Sequence, residues 1–154
     1  MKKLQMITET VSASSATWSD IKWQKVEVNV YRLQMRIAKA AREQRPNKVK
    51  ALQWLLTHSL EAKLLAVKKV TSTQGAKTSG VDGKLYKKDA EKMQLALSLK
   101  QRGYKAQPLK RVYIPKRNGK MRALGIPMVS SYCTSYNTIL GFHSNFGYFC
   151  RMIN

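Results

Sequence analysis

Acidic side chains are scarce in this chain of 154 residues: eight Asp and Glu stand against 29 Lys and Arg, for a formal charge of +21 and a pI of about 10.3. Eight scattered acids leave few to cluster, which argues against a carboxylate-rich metal enzyme. Cysteine is scarcer still. Cys133 and Cys150 cannot build a disulfide scaffold, and no metal-ligand spacing surrounds them. No eighteen consecutive residues are apolar, and Gln5, Thr8, Glu9 and Thr10 interrupt any export core behind Lys2 and Lys3. No membrane partner is expected, and the protein is expected to be cytoplasmic. Gly75, Gly80 and Gly83 do not form a Walker-type loop, and no Ser-His-Asp or Cys-His arrangement is present. His58 and His143 have no acid or cysteine at ligand spacing and are read as structural.

What is present is a hydrophobic content of 44%, enough for a folded core rather than a disordered basic tail. A charge of +21 repels itself and asks for an anionic partner, with nucleic acid the default. An anionic membrane surface would want a cationic cluster beside an amphipathic anchor, whereas the cations are spread over residues 1–128.

Residues 18–44 predict a long helix, with Trp23, Val26, Val30, Leu33, Ile37 and Ala40 on one face, Ser19 as N-cap and Pro46 as the stop. A second helix is expected over 47–70, capped by Asn47, with Val49, Leu52, Leu56, Leu60, Leu64 and Val67 as its apolar face. The short link makes the two an antiparallel pair. A glycine-punctuated loop over 71–83 precedes a third helix at 87–101 with Tyr86, Ala90, Met93 and Leu97 aligned. Two β-prone runs, 109–116 and 120–126, flank Asn118-Gly119, a strong hairpin signal read here as a two-residue tip. The fold class is α+β: a long antiparallel helix pair, a third helix and a β-hairpin. Trp18, Trp23, Trp54, Met35 and Met93 are expected in the core or in helix packing.

The last 26 residues change character. They hold one charge, Arg151, and six aromatics, Tyr132, Tyr136, Phe142, Phe146, Tyr148 and Phe149, with no evident helical or strand period. The segment is either an ordinary C-terminal stretch of unusual composition or a foreign tail left by a broken reading frame. As a foreign tail it is expected to pack poorly, without tight burial of Phe142, Phe146 and Phe149.

Lys25, Arg32, Arg36 and Lys39 fall within about one third of the first helix's circumference. Such a face is either simply solvated or set against phosphates. The shortage of i,i+4 acidic partners favours phosphate contact more than it would on an ordinary helix face, where signs mix. On the hairpin, Arg111, Tyr113 and Lys116 are expected against Lys120 and Arg122. Cations on both arms can close over a polyphosphate, or they can serve only to keep an edge strand from aggregating.

The chain also resembles a known family. Trp18-x-x-Ile21-x-Trp23 and Val30-Tyr-Arg-Leu-Gln-Met-Arg-Ile-Ala-Lys-Ala40 are similar to the opening of group II intron-encoded reverse transcriptases. So are Val49-Lys-Ala-Leu-Gln-Trp-Leu-Leu56 and Ala62-Lys-Leu-Leu-Ala-Val67. Thr78-Ser-Gly-Val-Asp-Gly83, Pro108-Leu-Lys-Arg-Val-Tyr-Ile-Pro-Lys116, Asn118-Gly-Lys-Met-Arg122 and Leu124-Gly-Ile-Pro127 follow in the family's order.

The resemblance implies the N-terminal extension and fingers tip of a right-hand polymerase, an RNA-directed DNA polymerase and maturase in the intact family. It divides the chain into a lead at 1–17, a basic helical extension at 18–70, a fingers segment at 71–127 and an aberrant tail at 128–154. It implies intron or template RNA as partner, and the cations expected to hold it are those of the helix face and the hairpin, Lys25, Arg32, Arg36, Lys39, Arg111 and Lys120. Lys116 and Arg122 match the cations that contact the incoming triphosphate, while Gly80, Asp82 and Gly83 order the loop. Ala123 departs from the family's usual Pro.

No catalytic residue is assigned, because the family's Mg-binding palm carboxylates have no counterpart: no Asp follows Asp89 and no Glu follows Glu91. The expected function is an N-terminal fragment that binds RNA and cannot polymerise alone. The alternatives are one half of a split enzyme completed by a separately encoded palm fragment, and a non-enzymatic basic RNA-binding module.

Overall fold

The computed structural model describes residues 17–100, 105 and 107–142, an α+β arrangement of five helices and one antiparallel hairpin. The elements run α1 (Trp23–Arg42), α2 (Pro46–His58), α3 (Leu60–Ser72), α4 (Asp89–Ser98), β1 (Lys110–Pro115), β2 (Met121–Ile126) and α5 (Val129–Phe142). No helix among the described residues is long and apolar enough to cross a membrane.

The first predicted helix is present but begins later. Trp18–Asp20 form a separate 3-10 turn, in which the Asp20 carboxylate accepts from the Thr17 N–H at 3.2 Å. Ser19 therefore does not cap α1, whose N-cap is Lys22. Val26, Val30, Ile37 and Ala40 are buried as their spacing requires, with Leu33 and Trp23 half-buried beside them. Helix α1 ends in a left-handed turn at Gln44 (φ 52°), where the Arg45 N–H returns to the Ala40 carbonyl at 3.0 Å. Pro46 opens α2 instead of merely closing α1, and Asn47 lies inside the first turn rather than capping it. Proline at the first helical position loses no hydrogen bond, because that N–H has no intrahelical partner anyway.

The second predicted helix is two helices. Ser59 is extended (φ −66°, ψ 140°) and ends α2 while capping α3. Its hydroxyl donates to the Leu56 carbonyl at 2.7 Å and accepts from the Ala62 N–H at 3.2 Å, so one side chain serves both helix ends. The apolar stripe continues across the break, with Leu52, Leu56, Leu64 and Val67 all buried.

Helix α4 is shorter than expected and buries a different face: Leu95, Ala96 and Leu99 are buried, whereas Ala90 and Leu97 are exposed. Met35 and Trp54 are likewise exposed, against expectation. Met35 sits two residues from both Leu33 and Ile37, and Trp54 two from both Leu52 and Leu56. On a helix, that offset turns each to the side opposite the buried stripe. Trp18 is buried and meets Trp23 edge to face at 4.9 Å.

The tail departs most from its composition. Helix α5 packs on α3 and α2, and Val129, Cys133, Asn137 and Leu140 are buried at spacings of four, four and three. The expectation of no period and poor packing is therefore corrected for residues 129–141. The buried face is built from a valine, a thiol, an amide and a leucine, a mixture that apolar counting passes over. The Asn137 amide donates to the Thr57 carbonyl at 2.8 Å, satisfying an acceptor that the end of α2 leaves open. The Gln34 amide donates to the Leu140 carbonyl at 3.0 Å, tying α5 to α1. The Phe142 side chain and residues 143–154, including His143, Phe146 and Phe149, lie outside the described residues, as do residues 1–16.

Two buried clusters result. One joins Trp18, Leu64, Val67, Val70, Leu95, Leu99, Val129 and Cys133; the other joins Val30, Ile37, Ala40, Leu52, Leu56, Ala62 and Leu140. Helix α5 supplies both, and Tyr136 packs against each.

Burial pushes the Cys133 thiol up to about 12, because the interior penalises the thiolate. In a Cys150→Ser background, Cys133 is therefore expected to react with an aromatic disulfide reagent at pH 8 about a thousandfold more slowly in native protein than in denaturant. Equal rates would place α5 in water. The sign for stability is also fixed: the native state holds this proton longer than the unfolded chain, so stability is lost as pH rises from about 9 toward 12.

Candidate nucleic-acid interface

Helix α1 carries Lys25, Arg32, Arg36 and Lys39 on one exposed side. The ion pairs among the described residues are Lys39–Glu43, Arg45–Glu43, Lys68–Glu27 and Lys92–Asp89. Lys39 thus has a carboxylate at 4.0 Å, while Lys25, Arg32 and Arg36 have none within that range. The face is mainly cationic, with Glu43 beside Lys39 at its C-terminal end and Glu61 held against Asn29 at 2.7 Å.

The hairpin turns through a longer loop than the expected two-residue tip. The Lys116 N–H donates to the Lys120 carbonyl at 2.8 Å, and the Gly119 N–H donates to the Lys116 carbonyl at 3.0 Å. The loop is therefore three residues, Arg117 to Gly119, with only Gly119 left-handed (φ 77°). The Asn118 side-chain oxygen accepts from the Lys120 N–H at 3.3 Å. One residue more in the loop shifts the register, and a one-residue shift exchanges the two faces of a strand. Arg122 lies opposite Ile114, Tyr113 opposite Ala123 and Arg111 opposite Gly125. Arg111 and Tyr113 therefore face away from Arg122, contrary to the expected grouping.

Lys116 and Arg122 do come together. Both line an open hollow of about 520 Å³, with Ile114, Pro115, Asn118 and Arg117. Arg117 is a third cation that the strand pattern does not single out, because it sits in the turn; its only sequence signal is its place between Lys116 and Asn118. Lys120 lies outside the lining. Cations and an amide make a donor set suited to phosphate oxygens and unsuited to Mg, so the hollow itself does not fit the metal of the intact family. Among the described residues, no three His, Cys, Asp or Glu side chains group to hold a metal.

The glycine loop is fixed from behind. Gly80 is buried, and a side chain there would meet the Met128 Cα at 2.7 Å and the Pro127 carbonyl oxygen at 3.0 Å. The Gly83 N–H reaches the Gly80 carbonyl at 3.4 Å, and the Asp82 carboxylate accepts from the Lys84 N–H at 3.4 Å. Asp82 holds a turn, with Gly83 left-handed at φ 67°. Burial, followed by the nearby Asp82 charge, raises the Tyr86 phenol above its ordinary value.

The family match falls on the helical part of the chain. A curated relative, protein YkfC of Escherichia coli K12, is 44% identical over 63 residues, which is 36% of this chain and 16% of that protein. The chain thus matches only a small part of the relative's length. The family described as the N-terminal domain of reverse transcriptase matches residues 18–99. Both ends of that match, Trp18 and Leu99, are buried in the same cluster. With 82 of its 154 residues inside the match, the chain belongs to the family of reverse transcriptase N-terminal domains.

Proposed function

We propose that this chain is the RNA-gripping N-terminal part of a group II intron reverse transcriptase and maturase, working in the cytoplasm. The observation that carries the reading is the cationic face of α1, where Lys25, Arg32 and Arg36 stand exposed with no carboxylate within 4.0 Å among the described residues. A merely solvated helix face mixes signs. The motif order from Trp18 to Pro127 supports the family, and the hollow of Lys116, Arg117 and Arg122 supports a grip on the triphosphate of an incoming nucleotide. A departing pyrophosphate gains charge-assisted hydrogen bonds there, two of them in parallel from an arginine. The composition break near residue 128 is not a break in packing, since α5 contributes Val129, Cys133 and Leu140 to the two buried clusters, which weighs against a foreign tail over residues 129–141.

The test is a filter-binding titration with single-stranded RNA. With ~6 phosphate contacts on a single strand, affinity is expected to fall roughly 300-fold between about 50 and 200 mM salt. Changing Arg32 and Arg36 together to Ala should shallow the log–log slope by roughly 1.5. A flat salt response in the unaltered protein would overturn the reading, and an unchanged slope in the double variant would remove α1 from the contact.

A further inference from the structure

We infer that Trp54 and His58 form a platform on which an unpaired RNA base stacks; the inference rests on the RNA-binding reading above and adds the part of the RNA that is read. Helix α2 buries Leu52, Leu56 and Thr57 and turns Trp54 to the other side, where 56% of the residue stays exposed. An indole so exposed is unusual, since tryptophan is highly buried on average. It is also held in place. The His58 ring lies one turn further on and stacks on the indole at 4.3 Å with an interplanar angle of 23°. The imidazole Nδ1–H donates to the Trp54 carbonyl at 2.8 Å, fixing the second ring. Two rings already ordered have little rotamer freedom left to lose when a third aromatic group joins them.

Charge selects the occupant. Helix α2 contains no acidic residue, and exposed Lys50 precedes Trp54 by one turn on the same side, with Asn47 and Ala51 exposed along the strip. A flat aromatic surface beside a lysine suits a base and its phosphate. The chain's +21 charge favours a polyanion over a protein partner. The bases of a duplex are already stacked on one another, so the platform serves single strands.

The test compares the full chain with Trp54→Ala and Trp54→Phe, using an oligouridylate and an RNA duplex of equal length as probes. Trp54→Ala is expected to weaken oligouridylate binding roughly 10- to 100-fold, leaving duplex affinity within about twofold and the salt slope unchanged. Trp54→Phe should recover most of the loss. A thermal melt of Trp54→Ala checks the fold, which an exposed helix position should not disturb. If the unaltered protein binds RNA with a steep salt response and Trp54→Ala binds both probes as well as it does, the platform falls and the RNA-binding reading stands. If the unaltered protein binds neither probe, both fall. Trp54-dependent self-association with unchanged RNA affinity would give the surface to a protein partner and overturn the inference.

Discussion

A chain ending at Met128 is expected to lose cooperative thermal unfolding. Helix α5 places Val129 and Cys133 against Leu64, Val67 and Leu95, and Leu140 against Ile37, Leu52 and Leu56. Each fully buried side chain of this size stabilises the native state by about 1.5–3 kcal/mol. Three such residues, with half-buried Tyr136, contribute on the order of 5–10 kcal/mol, comparable with the ~5–15 kcal/mol of a whole domain. Their removal would also leave Leu56, Leu64 and Val67 facing water. The expected product has helical circular dichroism, a broad melt and bound hydrophobic dye. A sharp transition like that of the full chain would instead make the composition break a structural boundary.

A single-atom change separates specific packing from loss of chain length. Asn137→Asp keeps the shape but places a buried carboxylate against the Thr57 carbonyl, where the native amide donates. The native side-chain oxygen has no partner, so no donor waits there for the new charge. The variant's carboxyl is held above its unfolded value by burial. Its stabilising form is therefore the protonated one, present below a pH of about 4 and lost as pH rises through the raised native value. A loss of about 3 kcal/mol or more is expected at pH 7, with much of it recovered near pH 4.

What the sequence conveyed follows from how each element advertises itself. Helix α1 was legible because its apolar positions repeat without interruption and its cations fill one side. The break at Ser59 was not, because Leu56, Leu60 and Leu64 keep the helical spacing straight across it and one hydroxyl satisfies both helix ends. Helix α5 hid behind its chemistry, since a period made of Val129, Cys133, Asn137 and Leu140 is helical in geometry but not in hydrophobicity. At the hairpin, Asn118-Gly119 signalled a turn without fixing its length. The third loop residue decided which strand face each cation occupies, so Lys116 and Arg122 share the hollow and Arg111 does not. Strand parity is an all-or-none property, and a one-residue uncertainty in the loop is enough to lose it.

Gly80→Ala is expected to lower stability by about 2–3 kcal/mol and the melting temperature by roughly 5–10 °C. The added carbon would stand 2.7 Å from the Met128 Cα and 2.9 Å from its nitrogen, and backbone cannot rotate away as a side-chain tip can. Other glycines calibrate the claim. At Gly83 nothing lies within 4 Å of an added carbon, but φ is 67°, so alanine there should cost only the left-handed strain of about 1 kcal/mol. At Gly125 the added carbon meets the Leu109 Cδ1 at 2.8 Å; Leu109 is exposed and can swing aside, so a change of under about 0.5 kcal/mol is expected. Equal effects at the three sites in a urea titration would mean that Gly80 does not bear on Met128. Met128 links the end of β2 to the start of α5, so the backbone that Gly80 presses against joins the hairpin to the helical body. The proposed phosphate hollow is lined by hairpin residues alone, so Gly80→Ala should leave tripolyphosphate binding within about twofold, whereas Arg122→Ala, at unchanged melting temperature, should weaken it.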